Sequence, residues 1–319
     1  MLFSVLIPAY KKRFLEECVA SVLRQSLPDF EVIILDDKSP ENLQPVIDSF
    51  QDDRIRVFRN EKNVGAVNLV DNWNKCLNLA QGEYVLCIGD DDVLMPNCLE
   101  EYAKAIKNHP DSLIIHCRSH IIDERSKTMG LTPTLPEYET VLENMWQRIH
   151  YHREQFVGDF LYKRDALLNN GGFFNLPLAW GSDDITSYIA MKDKGVYHVN
   201  EPIFCYRKTG LTISSNGNAE YKLKAIEGEE RWITVFLADF VARSAAEEKR
   251  LIDLRKEMPV YFNAKRKHTI LYYGLLGDGP ILPQLIRLKK SGALSSCSFM
   301  NVISSMIIAY KKKLIPKKK

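Results

Sequence analysis

The chain has 319 residues, 45% of them hydrophobic, with 43 basic and 41 acidic side chains; it can bury one large core or two unequal ones and is too apolar for a disordered chain. Six lysines and no acid fall in residues 311–319, so the first 310 residues carry 37 basic against 41 acidic side chains. A mildly acidic body excludes a nucleic-acid-binding face spread across the fold, whereas the basic end suits an anionic membrane surface.

The opening run Met-Leu-Phe-Ser-Val-Leu-Ile-Pro lacks the charged segment and cleavage site of a secretory signal, so it reads as a first strand and the chain as cytoplasmic. Strands are expected near Phe3–Ile7, Glu31–Leu35, Ile55–Phe58, Tyr84–Ile88 and Leu113–Cys117. Between them, Leu15, Cys18, Val19, Val22 and Leu23 recur at helical spacing, as do Leu99, Tyr102, Ala103 and Ile106. The alternation predicts crossover units and an α/β fold with a mostly parallel sheet flanked by helices. Ligands of such sheets gather at the carboxyl ends of the strands, so the loops after Ile7, Leu35, Phe58 and Ile88 are the places to look for chemistry.

Residues 118–180 are less regular, with Pro133, Pro136, Pro177 and the pair Gly171-Gly172, and suit a region laid over the sheet. A boundary is expected near residue 215, at Ser214-Ser215-Asn216-Gly217. Beyond it, Ile233, Phe236, Leu237, Phe240 and Val241 predict a long helix, and a second helical pattern follows Pro283. Phe299, Val302, Ile303, Met306 and Tyr310 then share one helical face ahead of the lysines, a pattern for lying on a membrane but too short to span one. The seven cysteines stand singly, without a CxxC pair, and read as reduced core residues.

Gly89-Asp90-Asp91-Asp92 follows the fourth apolar run directly. Adjacent carboxylates repel, and a hard cation such as Mg²⁺ or Mn²⁺, shared with substrate phosphate, would neutralise them; a solvated turn capping a helix near Pro96 is the plainer reading. Asp183-Asp184, after Trp180-Gly181-Ser182, opens a helix running towards Gly195, where acids also suit the helix dipole. Asp36-Asp37 ends the second strand, with Ser39 and Pro40 read as N-cap and first helical residue. His150-Tyr151-His152 lacks further ligands at zinc spacing, and Gly274–Gly279 follows no clear strand, so neither is read as a site.

The ordered set Val5-Leu6-Ile7-Pro8-Ala9-Tyr10, Ser21-Val22-Leu23-Arg24-Gln25, Glu31 through Ser39, Asn63-Val64-Gly65, the aspartate cluster, Asp183-Asp184 and Tyr206-Arg207 resembles family 2 glycosyltransferases of GT-A fold over roughly residues 2–215. The resemblance implies a catalytic domain at 1–215, with a nucleotide-sugar half at 1–98 and an acceptor half at 99–215, and a helical region with a basic amphipathic tail at 216–319. It implies that Pro8, Ala9, Tyr10 and one or both of Asp36 and Asp37 hold the nucleoside, usually uridine, with Asn63 and Gly65 near the base or ribose. Asp91 and Asp92 would bind Mg²⁺ or Mn²⁺ beside Asp90, with Gly89 where the family's first motif aspartate usually stands. Arg207 or Lys208 would contact the diphosphate, since Lys208-Thr209-Gly210 replaces the usual histidine. Asp184 would be the base, and Asp183 stands for a family glutamate.

The expected reaction is sugar transfer with inversion from a nucleotide diphosphate sugar to a hydroxyl of a saccharide or lipid-linked saccharide, in bacterial cell-surface polysaccharide or glycolipid synthesis. A basic tail adds an expected peripheral contact with the inner face of the plasma membrane. A sugar-nucleotide pyrophosphorylase would want a glycine-rich basic loop where Pro8-Ala9-Tyr10 stands, and a non-catalytic carbohydrate- or nucleotide-binding module would not need both acid clusters.

Overall fold

The run from Phe3 is apolar at nearly every position, the pattern of a strand covered on both faces, and it forms β1 (Phe3–Ala9) within a ten-stranded sheet. The computed structural model describes residues 1–210, 218–276 and 280–314. Two units divide it: Met1–Asn175 with Ser182–Thr209, and Leu176–Gly181 with Gly210–Lys319. The expected boundary at Ser214–Gly217, the motif residues Gly277–Gly279 and the end of the lysine tail lie outside the described residues.

In the first unit β1 is followed by α1 (Leu15–Leu23), β2 (Phe30–Asp36), α2 (Gln44–Ile47), β3 (Ile55–Arg59), α3 (Leu69–Leu79), β4 (Tyr84–Cys87), β5 (Val93–Leu94) and α4 (Cys98–Asn108). Then come β6 (Ile114–Ile122), β7 (Thr128–Leu131), β8 (Tyr138–Glu139), α5 (Val141–Ile149), β9 (Phe160–Lys163), α6 (Arg164–Asn169), α7 (Ser182–Met191) and β10 (Val196–Arg207). The main path runs β3-β2-β1-β4-β9-β6-β10-β5, with β7 on β6 and β8 on β10. Along that path only β9 and β5 oppose the common direction, so the sheet is mostly parallel and its chemistry-bearing loops share one edge. Val5, Ile7, Val32, Ile34, Leu86 and Ile88 form the core with Leu15, Val19 and Val22 of α1 and Leu99 and Tyr102 of α4, as the helical spacing predicts.

Two local expectations are corrected. The helix after Ser39 starts only at Gln44; the Ser39 hydroxyl instead donates to the Tyr10 carbonyl and accepts from the Glu41 N–H, so it ties a turn to β1. Asp90–Asp92 cap no helix, because β5 intervenes before α4 begins at Cys98.

The second unit holds α8 (Ala219–Asp239), α9 (Ala245–Thr269), a π-helical turn (Ile270–Leu275), α10 (Ile281–Lys290) and α11 (Phe299–Leu314). Leu223, Ile270, Leu275, Ile281, Leu288 and Ala309 form its core. The face expected of α11 is partly wrong: Val302 and Met306 pack against that core, while Met300 and Ile307 point out beside Phe299 and Tyr310. No described helix is long and apolar enough to cross a membrane. All seven cysteines are free, six of them buried.

Under the middle of the sheet, His116 Nδ1 lies 3.1 Å from His198 Nδ1, and His198 Nε2 lies 3.2 Å from Glu139, which also binds Arg153. Burial, opposed by Glu139, pushes His198 down to about 4. The unfolded chain therefore takes up a proton near pH 6.5 that the folded chain refuses until about 4, so this contribution to stability is complete above 6.5 and is lost as the pH falls through that window. His198→Gln removes the titration; the gap in melting temperature between wild type and variant should be widest near pH 7.5 and narrow by pH 5, and parallel melting curves across that range would contradict it.

Candidate functional site

The loop after β4 turns at Gly89, and three carboxylates follow in separate environments. Asp90 is buried, and its Oδ2 accepts the backbone N–H groups of Tyr10 and Lys11 at 2.7 and 2.6 Å, so it clamps the end of β1. Burial pushes its carboxyl up to about 6, with Lys11 opposing. Asp92 is also buried; it accepts the N–H of Gly89 at 3.2 Å and of Arg207 at 3.0 Å, and burial beside Asp91 raises it well above the carboxylate range. Asp91 is the most exposed of the three side chains and meets the Lys11 ammonium at 3.0 Å. Gly89 is required by crowding: a Cβ there would lie 2.9 Å from oxygens of both Asp91 and Asp92, which explains its presence at the head of the motif.

The donor set is all oxygen, which suits Mg²⁺ or Mn²⁺, and the Lys11 ammonium already places a positive charge on Asp91. Among the described residues no group of three or more His, Cys, Asp or Glu side chains is arranged to hold an ion alone. The cluster thus fits a cation that takes one protein carboxylate, Asp91, and completes its shell from a ligand. Asp92, paired with Asp91 in the sequence reading, faces inward to the backbone.

On the adjacent strands, the Asp37 N–H donates to the Ala9 carbonyl at 2.9 Å, which places Pro8, Ala9 and Tyr10 beside the end of β2. Asp37 accepts from Asn60 at 2.7 Å, from Asn63 at 3.0 Å and from the Val64 N–H at 3.0 Å. Asp36 accepts from the Ser39 N–H and pairs with Arg59 at 3.2 Å. Gly65 sits at φ 77°, ψ 160°, a conformation open only to glycine. Beside these, Arg59, Asn60, Asn63 and Lys75 line a concavity of about 500 Å³.

Arg207 is completely buried, which corrects its expected place on a ligand. Its guanidinium donates to the carbonyls of Asp91 and Asp123, to Ser126 Oγ and to Glu17, and lies 4.3 Å from the Phe14 ring centroid. It is a strut behind the acid loop.

Asp183 and Asp184 lie in the first turn of α7 and form a separate cluster. Arg148, from α5, donates to both oxygens of Asp184 through Nε and Nη2, at 2.8 and 3.2 Å. Burial and the Asp184 charge push Asp183 up, with Arg148 opposing. In the second unit, Leu178 and Ala179 are strained, with positive φ at 62° and 53°, while Gly181 takes φ 89°, which glycine adopts freely. The Lys222 ammonium lies 3.9 Å from the Trp180 ring centroid and 3.4 Å from that of Tyr273, and burial lowers it to about 8. His150 Nδ1 and His152 Nδ1 lie against Trp146 O and Gln147 Oε1, without metal-site geometry.

Lys11, Asn60 and Arg148 escape the sequence reading. Lys11 adjoins a motif residue and could have been found from that neighbourhood; nothing local marks Arg148, whose partner lies 36 residues away.

A model of the family described as Glycosyl transferase family 2 matches residues 4–170, just over half of the chain. Glycosyltransferase GlyG of Streptococcus pneumoniae is 32% identical over 117 residues, which are 36% of this chain and 38% of that protein, so the shared segment spans less than half of that relative. The UDP-Glc:alpha-D-GlcNAc-diphosphoundecaprenol beta-1,3-glucosyltransferase WfgD of Escherichia coli is 26% identical over 227 residues, 69% of this chain and 83% of that protein. Among solved structures, S. aureus TarS 1-349 in complex with UDP-GlcNAc shares the fold, with a TM-score of 0.66 at 19% identity over 99% of this chain and 93% of that chain.

Crowding over Gly89 yields a prediction. Gly89→Ala should force the carboxylates of Asp91 and Asp92 apart and cost about 1–3 kcal/mol, read as a lower melting temperature with unchanged far-ultraviolet circular dichroism; a variant as stable as wild type would show that the loop yields freely.

Proposed function

The chain belongs to glycosyl transferase family 2, and from that membership and the geometry above we propose that it moves a sugar from a nucleotide diphosphate sugar, a uridine diphosphate sugar first, to an acceptor hydroxyl with inversion. The observation that carries this reading is the convergence of the loops after β1, β2 and β4: Asp37 and Asp90 are spent on fixing those loops, which leaves Asp91, paired with Lys11, as the most exposed acid of the cluster at one strand edge. The uridine diphosphate sugars named with TarS and WfgD support the choice of donor.

On this reading Pro8, Ala9, Tyr10, Asp36, Asp37, Asn63 and Gly65 frame the nucleoside, and the concavity at Asn60 lies alongside. Asp91 would hold Mg²⁺ or Mn²⁺, with Asp90 and Asp92 shaping the loop around it. When bound, the ion supplies positive charge for the departing diphosphate. Lys11 adds a second positive charge at the same place.

Asp184 takes the acceptor proton while the acceptor oxygen bonds to the anomeric carbon, and the bond from that carbon to the diphosphate breaks with its electrons leaving on the diphosphate. A carboxylate has about four lone-pair sites; the Arg148 fork uses two and fixes the plane of the others. Because the leaving group is already good, positioning is the main task of the protein, and no covalent intermediate is needed. WfgD acts on a diphosphoundecaprenol-linked sugar, which supports a lipid-linked or saccharide acceptor in bacterial surface-polysaccharide or glycolipid synthesis, at the inner face of the plasma membrane.

Turnover of a nucleotide-sugar panel is the first test. With the donor identified, Asp91→Asn should abolish turnover and weaken donor binding, and chelator should do the same to wild type; full activity in excess chelator would remove the metal from this reading. Asp184→Asn keeps size and still accepts from Arg148, so transfer should fall about 100-fold or more with calorimetric donor affinity nearly unchanged. Near-wild-type transfer by that variant would take the base away from Asp184.

A further inference from the structure

Helix α11 buries small and polar side chains beside Val302 and Met306. Asn301, Ser305 and Ala309 face inward and are buried: the Asn301 amide donates to Asn263, and the Ser305 hydroxyl to the Lys267 carbonyl. Larger apolar side chains are left outside. Phe299, Met300, Ile307 and Tyr310 are between 47% and 76% exposed, and Leu282 and Ile286, one turn apart on α10, are 54% and 45% exposed. Such a set, on two helices that pack in the same core, needs an apolar cover.

Charge identifies the cover. No Asp or Glu occurs after Asp278, while Arg287, Lys289, Lys290, Lys311, Lys312, Lys313, Lys317, Lys318 and Lys319 all do. A face of this kind repels a second copy of itself, since a two-fold contact would bring both excesses together. A nucleic acid would match the charge but has no use for exposed Leu282, Ile286, Phe299 and Met300. An anionic bilayer satisfies both terms, with headgroups taking the cations and the headgroup-acyl boundary taking the apolar side chains.

We propose that α10 and α11 form an in-plane docking surface for anionic lipid. The surface lies in the second unit and uses none of the residues assigned to chemistry; it rests on the glycosyltransferase reading only for the reason a membrane is visited.

The test is flotation of the full chain, without donor or acceptor, on phosphatidylcholine vesicles and on the same vesicles with phosphatidylglycerol added. Wild type should float only with the anionic vesicles and should be released by high salt, because exposed cations are screened. Leu282→Ser/Ile286→Ser/Phe299→Ser/Met300→Ser and Lys289→Gln/Lys290→Gln/Lys311→Gln should each weaken flotation about tenfold or more, with unchanged circular dichroism and unchanged donor turnover. Wild type that stays in the soluble fraction overturns the proposal, as do variants that float like wild type. A dimer in sedimentation that the serine variant dissolves would assign the face to a second copy and overturn it as well. Because flotation needs no catalysis, failure here leaves the donor panel to decide the enzymatic reading separately.

Discussion

A guanidinium with no exposure to water is tolerable only when fully partnered, and Arg207 meets that condition by reaching three parts of the chain. It holds the acid loop through the Asp91 carbonyl, the turn after β6 through Asp123 and Ser126, and α1 through Glu17, while its own N–H binds Asp92. Those elements meet at one edge because β10 runs parallel to β6 and ends there. The acid loop is thereby fixed from behind by Arg207 and from the side by Asp90 on the end of β1. Removing one partner would leave a buried charge unpaired, so the arrangement stands or falls together.

Three adjacent aspartates look equivalent in the sequence and are not so in the fold. Asp90 and Asp92 spend their oxygens on backbone N–H groups, and only Asp91 remains at the surface of the cluster. The same division recurs on β2: Asp37 organises the Asn60–Val64 segment from within, whereas Asp36 reaches out to Arg59. An acid-rich motif at a strand end therefore combines carboxylates that build the loop with one that the loop presents.

The strands β1 to β4 and the helices α1 and α4 were legible because the apolar residues of each follow a single period along a short stretch of sequence. β9 was not, since its place between β4 and β6, against both, is a tertiary fact with no local signature. α9 was also missed: Leu251, Leu254, Met258 and Phe262 carry its buried stripe, but dense charges and Pro259 obscure it. The positions of the aspartates could be read from the motif, whereas Lys11 and Arg148 could not, because what distinguishes them is a partner brought near by folding. For Arg207 the motif marked an important residue, and only burial tells a strut from a ligand contact.

Asp183 and Asp184 show how one fork divides two neighbouring acids. A single guanidinium cannot serve both carboxylates in bidentate fashion, and here it serves Asp184. Asp183, half-buried beside that charge, is the member driven toward its protonated form. Arg148 thus fixes from α5 the plane of a carboxylate on α7, so the orientation of Asp184 is set by the packing of these two helices as much as by the aspartate itself.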